Sequence, residues 1–277
     1  MPISQPIEVI VSAPYTPKRR SRIIAIANQK GGVGKTTTTV NLATAIAASR
    51  LRVLVVDIDP QGNATTGFDI ERTAHLTSSY DVLLNDTQAS DSIVETAVPG
   101  LTVVPSSIHL SGAELELIEK EKREYRLSNA LSQLKDEFDY ILIDCPPALG
   151  LLTLNALCAA DAVLVPLQCE YYALEGLSHL CRTVERVKRT LNPRLEIQGI
   201  VLTMFDRRNN LSDMVASDVR AHFGDKVYET VIPRNVRISE APSHGKPVLL
   251  YDWRCAGSQA YIHLAGELLR RDRKLRI

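Results

Sequence analysis

The stretch Asn28-Gln29-Lys30-Gly31-Gly32-Val33-Gly34-Lys35-Thr36-Thr37 constrains this chain more than any other. It follows an apolar run at 22–27 and opens into a helical pattern over 36–49. A strand that turns through glycines into a helix beginning with lysine and hydroxyl residues is the context of a phosphate-binding loop, or P-loop. Gly31, Gly32 and Gly34 can take backbone conformations closed to other residues. Successive N–H groups then turn inward at the positive end of the helix dipole and make an anion nest. Lys35 is suited to neutralise the β- and γ-phosphates of a nucleoside triphosphate, and the Thr36 hydroxyl to complete the shell of a Mg²⁺ ion. Lys30 through Thr37, Val33 included, are therefore the nucleotide-binding candidates.

Around this loop, short apolar runs alternate with helix-like periods from residue 22 onward. Such alternation predicts βαβ units and a doubly wound, mostly parallel α/β sheet with helices on both faces, a P-loop NTPase architecture. Residues 22–27, 52–58, 101–105, 140–143, 162–167, 197–205 and 227–232 read as strands. Runs this apolar suit central strands covered on both sides. No repeat or low-complexity tract cuts the chain after residue 21, so 22–277 reads as a single domain behind a disordered arm at 1–21. The stretch 70–129 carries little signal.

Aspartates stand at two strand ends where such a loop needs carboxylates. Asp57 and Asp59 alternate onto one side of the second strand, with Asp59 at its carboxyl end, where α/β sheets hold ligands. A carboxylate there can orient a water toward a γ-phosphate, or hold Mg²⁺ through a water; by itself it can equally cap a turn before Pro60. Asp144 ends an apolar strand and precedes Pro146 and Pro147, as an acid beside the Mg²⁺ shell opposite Thr36 would. The loop also departs from the usual G-x-x-x-x-G-K-[ST] spacing. Gln29 stands where the first glycine belongs and is followed by an additional lysine, Lys30. A lysine at the loop's start is badly placed to curl back onto its own nucleotide and better placed to reach another subunit's.

The motif Lys30-Gly31-Gly32-Val33-Gly34-Lys35-Thr36 resembles the deviant Walker A motif of the ParA/MinD ATPases, and Asp57-Ile58-Asp59-Pro60-Gln61-Gly62-Asn63-Ala64-Thr65 resembles their Walker A′ segment. The stretch 232–247, from Ile232 and Pro233 to Lys246 and Pro247, is similar to the ParA/Soj branch. The resemblance covers roughly 22–265 and implies a set of roles. Lys30 is the signature lysine that crosses an ATP-sandwich dimer, Lys30, Lys35 and Asp59 serve hydrolysis, and Thr36, Asp59 and Asp144 attend the metal. Pro233 and Asn235 contact the base, and Arg208 and Arg237 bind DNA without sequence preference. It further implies ATP and Mg²⁺ as cofactors, homodimerisation with ATP, a ParB-type centromere-binding partner, slow unstimulated turnover, and a role in chromosome or plasmid segregation at the nucleoid.

Composition narrows the rivals. The 277 residues hold 32 Lys+Arg against 32 Asp+Glu, and 5% are aromatic with one Trp. That balance opposes a surface basic all over and a site built on stacked bases, while leaving a local patch open. Five cysteines without a CxxC pair read as free thiols of a reducing, cytoplasmic compartment. They do not suggest the cluster ligands of a reductase resembling the nitrogenase iron protein. The intact Lys35, Thr36, Asp59 and Asp144 oppose a scaffold with a vestigial loop. A MinD-like membrane-cycling ATPase is the alternative. The tail 264–277 has few apolar residues among many arginines, so no stable membrane association is expected.

Overall fold

The computed structural model describes residues 20–72, 77–171 and 173–275. The remaining residues, including 1–19 of the arm at 1–21 to which disorder is assigned above, lie outside the described part. Strands β1 (Arg22–Ile26), β2 (Val53–Asp57), β3 (Val94–Glu95), β4 (Leu101–Val104), β5 (Tyr140–Asp144), β6 (Ala162–Gln168), β7 (Glu196–Phe205) and β8 (Val227–Pro233) form one sheet in the order β3-β4-β2-β5-β1-β6-β7-β8. Every neighbouring pair is parallel except β3 with β4.

The helices are α1 (Lys35–Ala47), α2 (Asn63–Gly67), α3 (Ser79–Leu84), α4 (Leu110–Ile118), α5 (Arg126–Leu131), α6 (Leu151–Ala159), α7 (Ala173–Thr190), α8 (Asn210–Phe223), α9 (Val236–Glu240), α10 (Val248–Tyr251) and α11 (Ala256–Leu275). Strand alternation sorts the core into two layers. Ile23, Ala25, Leu54 and Val56 face α3 to α8, whereas Ile24, Ile26, Val53 and Val55 face α1, α2, α10 and α11. All five residues of β2 and of β5 are buried, as double-sided cover requires. Each fully buried Val, Leu or Ile contributes roughly 1.5–3 kcal/mol relative to exposure.

The last helix is a structural member of this sheet rather than a free tail. Leu264 and Leu268 of α11 are fully buried. Asp272, also buried, accepts hydrogen bonds from the Tyr140 hydroxyl at 2.9 Å and Gln198 Nε2 at 2.8 Å, with Arg22 Nε 3.8 Å away. At the other end of the chain, Ser21 is buried and its hydroxyl donates to the carbonyls of Lys135 and Phe138, both at 2.6 Å.

The ends of β2, β5 and β1 define the site. Register pairs Asp57 with Asp144 and Asp144 with Ile26, so both aspartates and the exit of β1 lie side by side at the carboxyl edge. The sheet changes winding direction around β1, the usual ligand position in open α/β folds.

Candidate active site

The loop after β1 has the geometry its glycines foreshadow. Gly32 and Gly34 sit at φ +74° and +88°, and a side chain at Gly31 or Gly32 would meet nothing within 4 Å, leaving open space over the turn. Gly34 immediately precedes α1, whose first turn closes with the Thr38 N–H donating to the Gly34 carbonyl at 2.8 Å. The loop is tied down at both ends. Asn28 donates Nδ2 to the Pro166 carbonyl at 2.7 Å and accepts the Lys30 N–H at 3.1 Å, while Thr203 Oγ1 donates to the Val33 carbonyl at 2.8 Å. A loop fixed in advance spends little ordering entropy on binding a ligand.

The two lysines of the loop diverge. Lys35 is buried, and its Nζ donates to the Lys30 carbonyl at 3.1 Å. Burial lowers its pKa, against the pull of Asp144 and Asp59. Lys30 projects outward, 45% exposed, and its Nζ forms an ion pair with Glu170, just ahead of α7.

Asp144 is fully buried. Burial first, then the neighbouring Asp57 charge, pushes its carboxyl well above the ordinary range, offset in part by the Thr36 and Thr39 hydroxyls. Thr39 Oγ1 donates to Asp144 Oδ1 at 2.9 Å, but Oδ2 is buried with no hydrogen-bond partner. An orphaned carboxylate oxygen beside the glycine loop and a threonine hydroxyl fits a hydrated Mg²⁺ ion, whose waters would supply the missing donors. Asp57 is equally buried and pushed up to about 6 by that burial, although it accepts Thr65 N–H at 2.8 Å, Thr65 Oγ1 at 2.6 Å and Asp59 N–H at 3.2 Å. Asp59 accepts the Gln61 N–H on Oδ1 at 2.9 Å. Asp57 is thus the anchor of the segment, and Asp59, two residues beyond the strand end, is buried as well at 5% exposure.

Several of these groups escape a reading of the sequence. Thr39 lies three residues after Thr36 on one helix face, a spacing that could have revealed it. Ser106, whose hydroxyl donates to the Asp59 carbonyl at 2.6 Å, and Glu170 come from distant elements and leave no local signal. Cys145 is buried and its thiol pKa is raised by that burial, which suits packing rather than nucleophilic chemistry. All five cysteines are free thiols.

The remaining candidates gather at the β7–β8 edge. Arg208 follows β7 and Arg237 lies in α9 after β8. Arg208 forms a two-pronged pair with Asp206 at 2.9 and 2.8 Å and is 87% exposed. Arg237 donates to Glu240 at 2.9 Å and lies 3.6 Å from Asp252. Pro233 ends β8, and Asn235 caps α9 by accepting the Arg237 N–H at 3.0 Å.

Comparison with known proteins agrees with this geometry. Residues 21–197 match the family model described as AAA domain. The chain is 62% identical over 254 residues to the chromosome partitioning protein ParA of Caulobacter vibrioides, covering 91% of this chain and 95% of the relative. It is 57% identical over 247 residues to the sporulation initiation inhibitor protein Soj of Bacillus subtilis, covering 89% and 98%. Among solved structures, cobyrinic acid a,c-diamide synthase from Mycobacterium smegmatis with bound ADP and magnesium superposes with a TM-score of 0.80 at 39% identity, over 91% of this chain and 96% of that one. With a P-loop sheet of this order and relatives this similar, the chain belongs to the ParA/Soj family of chromosome-partitioning ATPases.

Proposed function

We propose that this ATPase, a single domain over 22–277, is a partitioning switch. ATP closes it into a sandwich dimer, the dimer binds nucleoid DNA without sequence preference, and hydrolysis opens it again with a ParB-type protein as stimulating partner. The observation that carries this reading is the divergence of the two loop lysines. Lys35 turns into its own nest, while Lys30 stands clear of it on an exposed ion pair, free to exchange Glu170 for the phosphates of a second subunit. An exposed pair of this kind is worth at most about 1 kcal/mol, so the exchange costs little.

In the mechanism, the N–H groups of 31–36 and Lys35 hold the β- and γ-phosphates, and Lys30 of the opposing protomer adds positive charge where it develops. Asp59 orients a water in line with the γ-phosphorus and takes its proton. As the new P–O bond forms, the bond to the β–γ bridging oxygen breaks and ADP leaves with that electron pair. Thr36 and Asp144, with Asp59 through a water, would hold Mg²⁺, which when bound offsets phosphate charge. Pro233 and Asn235, at the carboxyl end of β8, are assigned to the base. Arg208 and Arg237 supply cations that contact phosphates rather than base edges.

The decisive experiment is DNA binding with ATP, with ADP and without nucleotide, for wild type and Arg237→Glu. ATP-selective binding lost in the variant is expected; equal binding in all three states would refute the switch. The membrane-cycling alternative finds no support in α11, whose Leu264 and Leu268 are docked in the core. No helix among the described residues is long and apolar enough to cross a membrane. Co-sedimentation with liposomes in ATP is the corresponding test.

A further inference from the structure

The hydrolysis segment is gripped by a side chain outside every motif described above. Arg72, five residues beyond α2, donates NH2 to the Pro60 carbonyl at 2.6 Å and NH1 to the Gln61 carbonyl. Its Nε is buried against Gly62 without a hydrogen-bond partner. Gly62 makes room for it. A Cβ at Gly62 would lie 2.6 Å from Arg72 Cδ and 2.7 Å from Cζ, and the residue also sits at φ +65°. The guanidinium therefore lies on the loop where any side chain at 62 would displace it, and it leaves one donor unsatisfied to remain there. A buried donor without a partner costs about 1–3 kcal/mol. Stability of the loop alone is a poor reason for such an arrangement.

Peptide planarity supplies a better one. The Pro60 carbonyl and the Gln61 N–H belong to one trans peptide and point in opposite directions. Holding that carbonyl on Arg72 turns the N–H the other way, where it donates to Asp59 Oδ1 at 2.9 Å. On the far side, Ser106 holds the Asp59 carbonyl at 2.6 Å. We propose that Arg72 is a positioning residue for ATP hydrolysis: by fixing the 60–61 peptide it locks Asp59 Oδ1 onto the Gln61 N–H and leaves the second carboxylate oxygen aimed at the attacking water.

The inference rests on the role given to Asp59 above, and the two fail separately. Misplacing a catalytic group by about 1 Å can cost on the order of 100-fold in rate. Single-turnover hydrolysis at saturating Mg·ATP should therefore fall about 10- to 100-fold in Arg72→Ala, with nucleotide affinity, read by a fluorescent ATP analogue, within about twofold of wild type. Arg72→Lys, which can still reach one carbonyl, should recover part of the rate. Gly62→Ala should lose rate like Arg72→Ala, and the double variant should lose no more than either, because both remove one contact. Asp59→Ala serves as the reference. If Asp59→Ala hydrolyses normally, the role of Asp59 is wrong. If Asp59→Ala is inactive while Arg72→Ala turns over like wild type, Arg72 does not position it. Equal loss of affinity and rate in Arg72→Ala, with no recovery in Arg72→Lys, would also overturn the proposal, marking a residue that only maintains the fold. Should Arg72→Ala fail to fold, the rates of Arg72→Lys and Gly62→Ala decide alone: wild-type turnover in both refutes it.

Discussion

Replacing Asp144 by Asn should make the nucleotide-free protein more stable and the nucleotide-bound protein less so. In the structure Asp144 Oδ2 is a buried carboxylate oxygen without a partner, set in register beside buried Asp57. An orphaned buried polar group costs about 1–3 kcal/mol, and more when charged. Asn keeps the shape and the acceptor for Thr39 and its Nδ2 takes over as the unpartnered buried atom, so what the change removes is the charge and its repulsion with Asp57. A gain of about 1–2 kcal/mol follows, or roughly 2–8 °C in Tm at the 2–4 °C per kcal/mol of a domain near this size. The pH dependence has a definite sign. Asp144 binds its proton more tightly folded than unfolded, so its ionisation destabilises the fold. The Asn advantage should thus grow as pH rises above the unfolded carboxylate range near about pH 4 and shrink on acidification, as wild-type Asp144 protonates while the unfolded chain is still ionised. With Mg·ATP at about 100 times Kd, wild type gains about 2.7 kcal/mol and the variant little, so the order of the two melting temperatures reverses. Thermal unfolding with and without Mg·ATP reads both effects. A lower Tm for nucleotide-free Asp144→Asn would refute the reasoning from the orphaned oxygen, and a full Mg·ATP shift in the variant would remove Asp144 from the metal shell.

Asp272→Ala strands the Tyr140 hydroxyl and Gln198 amide behind α11 and should cost about 2–4 kcal/mol in urea unfolding. For Glu267, burial alone would raise the pKa, but the N–H groups of Glu229 and Thr230, the Thr230 hydroxyl and Arg271 hold it below 4.5. Its stabilisation is therefore complete above that value and fades as pH falls through the folded one; Glu267→Gln should lower Tm at pH 7 and flatten the acid limb below 4.5. Glu170→Ala should change stability by less than about 0.5 kcal/mol, since both partners are more than 40% exposed, and leave ATP-dependent dimerisation intact in sedimentation, whereas Lys30→Ala abolishes it.

What the sequence made legible follows from where the information sits. The P-loop is one contiguous segment in which every residue type has a local reason, and the central strands are apolar throughout because both faces are covered. Seven strands are accordingly readable to within a residue or two. Strand β3 has only Val94 and Glu95, is partly exposed and pairs antiparallel at the edge; two residues carry no period. Helices α3, α4 and α5 are nine residues or shorter, too brief for a periodic stripe to stand out of 70–129. The tail shows what an apolar count does not reveal. Leu268 counted as one of too few apolar residues for a membrane anchor, yet its burial docks α11 on the sheet. The contacts that orient the site, Arg72 on Pro60, Ser106 on Asp59 and Glu170 on Lys30, join segments separated by 12, 47 and 140 positions, and only the fold brings them together.

The same pairing of charges gives the zero net charge a mechanical sense. Arg208 is held by Asp206, Arg237 by Glu240 and Asp252, and Lys30 by Glu170, so a lone protomer presents these three cations already neutralised. Surface pairs of this kind yield readily to phosphate, but they dampen the long-range attraction that a bare basic patch would exert. Two phosphate contacts per protomer imply a slope of about −1.8 in log K against log salt, or a roughly 12-fold loss of affinity between 50 and 200 mM; four contacts in a dimer imply about −3.6 and a roughly 150-fold loss. A doubling of the slope on adding ATP is therefore the signature of arginines brought together by dimerisation. An unchanged slope with higher affinity would mean instead that ATP remodels each protomer's own patch.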